Sequence, residues 1–114
     1  MIIANFKANG NSSFILKWYE EFIQAASENI FSSVGVAPSH IHFYKLNKLF
    51  KETSVRLGMQ NIDEEGGART GSISAEMASE IGCSFLILGH SERRIFYNEN
   101  NNNTPGIDIA TVLQ

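Results

Sequence analysis

The sequence predicts an α/β fold, a parallel sheet covered by helices. Short apolar runs recur along the chain, and amphipathic stretches with a helical repeat lie between them. The resulting order is β-α-β-α-β-α-β from Met1 to Leu88. Continuously apolar strands separated by helices with one apolar stripe belong to parallel sheets with helical cover.

Met1 to Phe6 is a short apolar run ending at the polar Lys7-Ala-Asn-Gly10 turn, as a buried strand does. From Ser13 to Asn29, apolar residues at Phe14, Trp18, Phe22 and Ala25 or Ala26 make one stripe on a helix. Asn11, Ser12 and Ser13 are each competent N-caps for it. Val34 to Ala37 reads as a second strand, stopped by Pro38. Ser39 is placed to cap a second helix with Ile41, Tyr44 or Lys45, Leu46 and Leu49 along its apolar side. Val55 to Met59 forms a third strand, followed by a Gly-rich polar loop from Gln60 to Ser72. Ser74 caps a third helix running to about Glu80, and Gly82 stands where a left-handed C-cap favours glycine. Cys83 to Leu88 is the fourth strand. The run Asn98-Glu-Asn-Asn-Asn-Asn103 and the following Thr-Pro-Gly106 are expected to be disordered, and the short Ile107–Leu113 stretch is too short for a stable isolated helix. Two architectures share this order, a doubly wound open sheet and a (β/α) barrel, and periodicity does not choose between them. The first strand-to-helix turn lacks a Gly-x-Gly-x-x-Gly fingerprint, which argues against dinucleotide binding.

A length of 114 residues is that of one domain, and 43% apolar with 18% charged residues is ordinary for a globular chain. A net charge of −3 and the lack of a basic run argue against nucleic acid as a partner. No stretch is apolar enough to span a membrane, and the N-terminus has no signal-peptide pattern, so a cytoplasmic location is expected. The one cysteine, Cys83, excludes an intrachain disulfide and reads as an inert core thiol. No His/Cys/Asp spacing suggests a metal. His40 and His42 read as exposed or capping residues, Trp18 and Phe22 as core, and Asp63-Glu64-Glu65 as a solvated acidic loop.

Polar residues gather just after the predicted strands: Asn5 and Lys7, then Gln60 and Asn61, then His90 to Arg94. Loops leaving the C-terminal ends of parallel strands share one face of such folds, so Lys7 and His90 are candidates to converge. An ammonium supplies charge to an anion or a developing enolate, and an imidazole hydrogen-bonds a carbonyl oxygen. The positive end of a helix starting at Ser91 or Glu92 favours a neutral His90.

Five motifs carry a family resemblance: Asn5-Phe-Lys7-Ala-Asn-Gly10, Ala37-Pro38, Gly58-Met-Gln60-Asn61, Gly67-Ala-Arg-Thr70-Gly71 through Met77, and Leu86-Ile-Leu-Gly89-His90-Ser91-Glu92-Arg93-Arg94. In this order, each at a predicted strand end or loop, they resemble the triosephosphate isomerases over residues 1–97. The resemblance implies the N-terminal half of a (β/α)₈ barrel, with residues 98–114 as a divergent tail. It implies interconversion of dihydroxyacetone phosphate and glyceraldehyde 3-phosphate through an enediol(ate), in glycolysis and gluconeogenesis, without cofactor or metal. By the same resemblance His90 is the electrophile, Lys7 the electrostatic clamp, and Asn5 a substrate-binding residue. The neutral-histidine role is an established feature of this family. Glu92 pairs with or orients Lys7, Ser91 and Arg93 support the loop, and Thr70 and Gly71 reach across a homodimer interface. Arg69 and Ser72 depart from the aromatic and acidic residues usual there. The family's base glutamate follows the sixth strand and its phosphate-binding glycines the seventh and eighth, so the chain reads as truncated and nearly inactive alone. A non-catalytic half-barrel binding or assembly module is the alternative. Another sugar-phosphate barrel enzyme fits the Gly-His-Ser-Glu-Arg-Arg motif less well.

Overall fold

The computed structural model describes residues 1–63 and 65–103. Strands β1 (Ile2–Asn5), β2 (Val34–Ala37), β3 (Arg56–Met59) and β4 (Phe85–Leu86) alternate with helices α1 (Ser12–Ala25), α2 (His40–Leu49), α3 (Ala75–Glu80) and α4 (Ser91–Phe96), with a 3₁₀ turn at Glu28–Ser33. The four strands are parallel and lie in the order β1-β2-β3-β4. A doubly wound sheet reverses direction part-way, whereas a barrel keeps adding each strand beside the last. The winding is therefore that of a half barrel, which decides between the two architectures.

Local chemistry sets the element ends. Asn11 caps α1, its Oδ1 accepting from the Phe14 N–H at 2.9 Å. The helix stops at Ala25, short of the expected Asn29, because Ala26 and Ser27 are extended and the chain re-enters a 3₁₀ turn. Ser27 and Asn29 hydrogen-bond each other there, a local alternative to helical bonding. Ser74 caps α3 by accepting from the Met77 N–H, and Gly82 ends that region at φ 91°. Ser39 holds the N-cap position of α2 without a side-chain bond. β4 is two residues long, not the six expected. Its ladder continues through Ser84 N–H to Leu57 O and Ile87 N–H to Met59 O, but only toward β3.

Residues alternate between two faces along each strand. Val34, Val36, Leu57 and Met59 face the helices and join Ile15, Phe43, Leu46 and Phe50 in the core. Each fully buried side chain of this size contributes roughly 1.5–3 kcal/mol. Trp18 and Phe22 stack at 5.3 Å and pack edge-on to Phe50, as core residues do. The α2 stripe is rotated from the predicted one. Phe43, Leu46 and His42 are buried, while Ile41 is 83% exposed and Tyr44 is also exposed. His42 is buried, not exposed: its Nε2 lies 3.3 Å from the Gly10 carbonyl, which gives the ring a polar partner inside the α1–α2 contact. Cys83 is buried as expected, and burial pushes its thiol pKa up.

The opposite sheet face is the barrel's interior. Phe85 is paired in register with Gly58, and its ring lies across both Gly58 and Gly35. A Cβ on Gly58 would sit 2.4 Å from that ring, so the glycine is required by close approach.

Residues 98–103, expected to be disordered, form a turn bound by their own side-chain amides, with Asn100 and Asn103 bonding each other. Arg93 Nε donates to Glu99 Oε1 at 2.7 Å and Arg94 Nη1 to Asn101 Oδ1 at 3.0 Å, fastening the turn to α4. Thr104–Gly106 and the Ile107–Leu113 stretch lie outside the described residues.

Candidate active site

One pocket at the C-terminal ends of the strands is lined by Asn5, Lys7, Gln60, Ile87, His90, Glu92 and Arg93 and measures about 60 Å³. It brings together the loops after β1, β3 and β4. Asn5 points to the interior face because its register partner is Ala37, two residues on from interior Gly35. The β1 loop turns at Lys7, whose φ of 54° is left-handed. That conformation costs a non-glycine residue about 1–3 kcal/mol and persists only when its surroundings hold it. Three bonds do so. Asn5 Oδ1 accepts from the Lys7 N–H at 3.0 Å. Gln60 Nε2 donates to the Lys7 carbonyl and to the Ala37 carbonyl, each at 2.9 Å. Lys7 Nζ meets Glu92 Oε1 at 2.6 Å. Both partners are about half exposed, so the pair adds little to stability and mainly orients the ammonium. The Lys7 hydrogen bond is the chief reason that the Glu92 carboxyl titrates below its usual range.

His90 occupies the N-cap of α4, and its Nδ1 accepts from the Glu92 N–H at 3.2 Å. The Glu92 Oε2 lies 3.6 Å from the same nitrogen, outside hydrogen-bonding range. A ring nitrogen that accepts carries no proton, so the remaining proton sits on Nε2. The capping bond belongs to the ring tautomer whose donor is Nε2–H. Arg94 Nε secures the turn before it by donating to the Gly89 carbonyl at 2.8 Å.

The sequence reading named five residues that the structure collects here: Asn5, Lys7, His90, Glu92 and Arg93. Glu92 and Arg93 do not pair with each other; Glu92 goes to Lys7 and Arg93 to Glu99. Ser91 opens α4 exposed and outside the pocket, and Thr70 and Gly71 lie exposed on the loop before α3. In that loop Arg69 pairs with Asp63 and Glu65, so these two acids are not simply solvated; Glu64 lies outside the described residues. Among the described residues, no three His, Cys, Asp or Glu side chains group as metal ligands do.

A sequence model described as triosephosphate isomerase matches residues 1–106. The chain belongs to the triosephosphate isomerase family. Its relatives include the triosephosphate isomerases of Methylococcus capsulatus and of Francisella tularensis subsp. novicida, each 37% identical over 102 residues. Those alignments cover 89% of this chain and 40% of each relative. The enzyme of Dictyoglomus thermophilum is 34% identical over 102 residues, or 41% of its own length. The chain therefore spans about 40% of the length of the curated relatives it matches. The family match extends past Tyr97, where the motif resemblance stopped, into the Asn-rich turn.

Gln60 is the site residue that the sequence reading did not select, although its position after a strand marked it as a polar residue on the right face. Its role depends on two carbonyls from distant segments, Lys7 and Ala37, which no local pattern reveals. Arg94 belongs to the Gly89-His90-Ser91-Glu92-Arg93-Arg94 motif, and its bond to Gly89 is equally a product of the fold.

Proposed function

We propose that the Lys7–His90 pocket is the electrophilic half of a triosephosphate isomerase site, built to interconvert dihydroxyacetone phosphate and glyceraldehyde 3-phosphate in the glycolytic and gluconeogenic direction of flow. The observation that carries it is the His90 cap bond: Nδ1 accepts from Glu92 and leaves Nε2–H to donate to a substrate carbonyl oxygen. Lys7, oriented by Glu92, supplies positive charge to the anion and to the enediolate oxygen as charge develops. Asn5 and Gln60 hold the lysine's backbone in place and line the same pocket. Arg93 supports α4 through Glu99. The proton at carbon needs a base, and no carboxylate in this pocket is free for it, since Glu92 is engaged by Lys7. Missing base catalysis costs about 10²–10⁴ in rate.

The 114-residue chain is therefore expected to be nearly inactive by itself. Isomerase turnover of the purified chain, beside Lys7→Ala, tests this. Turnover indistinguishable from the control is expected, and Lys7-dependent turnover near that of a complete family enzyme would contradict it. The resemblance further assigns Thr70 and Gly71 to a homodimer contact, and their exposed place on the loop before α3 suits residues that meet a partner. A cytoplasmic location accords with a single, buried cysteine. No helix among the described residues is long and apolar enough to cross a membrane. The second reading, a half barrel that acts by assembly, is favoured by sheet edges at β1 and β4 that carry no further strand among the described residues.

A further inference from the structure

On the reading of Lys7 as the charged group of the site, we infer that His42 is its positioning residue, fixing from the first turn of α2 where the lysine stands against Glu92. The turn around Lys7 is closed on itself. The Phe6 carbonyl accepts from the Asn9 N–H at 3.2 Å and from Asn9 Nδ2 at 3.0 Å. A turn closed in this way moves as one body, and its place is set by what grips its two ends. Gln60 grips the front, at the Lys7 carbonyl.

α2 grips the rear. Gly10 lies against the first turn of α1, where a Cβ on it would sit 3.1 Å from the Phe14 ring. Its carbonyl stands outside the α1 ladder, which begins with the Ile15 N–H on the Asn11 carbonyl. A carbonyl in a packed contact needs a donor. His42 is 7% exposed and thirty-two residues away, and its Nε2 lies 3.3 Å from that oxygen. The carbonyl can only accept, so Nε2 carries the proton. One turn further on the same helix face, Lys45 Nζ donates to the Ser12 carbonyl at 3.3 Å. Two α2 side chains thus hold two carbonyls of the segment joining the Lys7 turn to α1.

The grip matters at the pocket. The 2.6 Å bond from Lys7 to Glu92 spans eighty-five residues and forms only while the loops after β1 and β4 stay aligned. A misplacement of about 1 Å in such a group costs roughly 10²-fold in rate. His42 does not line the pocket and acts on it through Gly10.

The test compares two variants of the 114-residue chain. His42→Leu is apolar and has no donor, whereas the side-chain amide of His42→Gln can reach the same carbonyl. The readout is the Glu92 carboxyl midpoint by ¹³C NMR, which the Lys7 hydrogen bond holds low. It is expected to rise toward 4.5 in His42→Leu and to stay near the parent value in His42→Gln. A loss of global stability alone does not move the midpoint of the folded chain. Lys45→Met removes the second tie at a half-buried side chain and is expected to raise the midpoint by less. An unmoved midpoint in His42→Leu (or in Lys45→Met, should His42→Leu not fold) would overturn the proposal. Equal rises in His42→Leu and His42→Gln would do the same. No ligand enters this readout, so its failure is distinct from failure of the isomerase reading, which binding of dihydroxyacetone phosphate decides.

Discussion

Lys7 combines a left-handed backbone with a functional side chain, and the two are separable by substitution. Lys7→Ala and Lys7→Gly both lose the Glu92 pair, so their difference isolates the backbone at φ 54°. Lys7→Gly is expected to be more stable than Lys7→Ala by about 1 kcal/mol in urea unfolding, because glycine adopts that conformation without strain. Equal stabilities would show that the turn relaxes when the lysine is gone. Glu92 gives a second residue-level expectation. Its folded-state pKa is held below the ordinary 4.5, chiefly by the Lys7 hydrogen bond. A depressed carboxylate adds stability above its unfolded value and loses it as pH falls through the folded one. The Lys7–Glu92 pair is therefore complete at neutral pH and breaks only below pH 4.5. Carboxyl NMR shifts of Glu92 check this, and Lys7→Ala should return its midpoint upward.

Among the elements, β3 and β4 are coupled through a glycine and a ring. A Cβ at Gly58 meets three Phe85 ring atoms at 2.4–2.6 Å, so Gly58→Ala is expected to destabilise by about 1–3 kcal/mol. Phe85→Leu in the same chain should recover part of that loss, measured as a double-mutant cycle in denaturant. Additive effects would mean that the ring is not what excludes the methyl. The elements themselves were largely legible: four apolar runs, capped helices at Ser74 and Asn11, and glycine at Gly82 all report local chemistry. The rotation of α2 was not, since Ile41 and Phe43 are equally apolar and only packing against α1 and β3 selects Phe43. His42 was misread for the same reason: its partner is a carbonyl thirty-two residues away. At the site, Lys7 and His90 were legible because each follows a strand. The Gln60 clamp and the Arg93–Glu99 fastening required the third dimension.

On the scale of the whole molecule, the described residues wind half a barrel whose polar mouth holds a charged and a hydrogen-bonding group. Its stability carries an acid limit. Burial chiefly, with nearby Arg93, lowers the pKa of His40 from 6.5, while a bond with the Asn61 backbone opposes this. A histidine depressed in the fold stabilises fully above its unfolded value, and that contribution is lost as pH falls. Stability should decline from about pH 6.5 downward, and His40→Asn should flatten that slope in pH-resolved urea unfolding. Sheet winding and family match agree that this chain is part of a triosephosphate isomerase-type barrel, and the pocket at its mouth brings Lys7 and His90 together. The most direct measurement is ¹⁵N NMR of the histidine-labelled 114-residue chain titrated with dihydroxyacetone phosphate, beside Lys7→Ala. The expected result is an Nε2–H tautomer at His90 whose resonance moves with ligand and stays fixed in the lysine variant. A His90 resonance untouched by ligand, or moved equally without Lys7, would contradict the assignment.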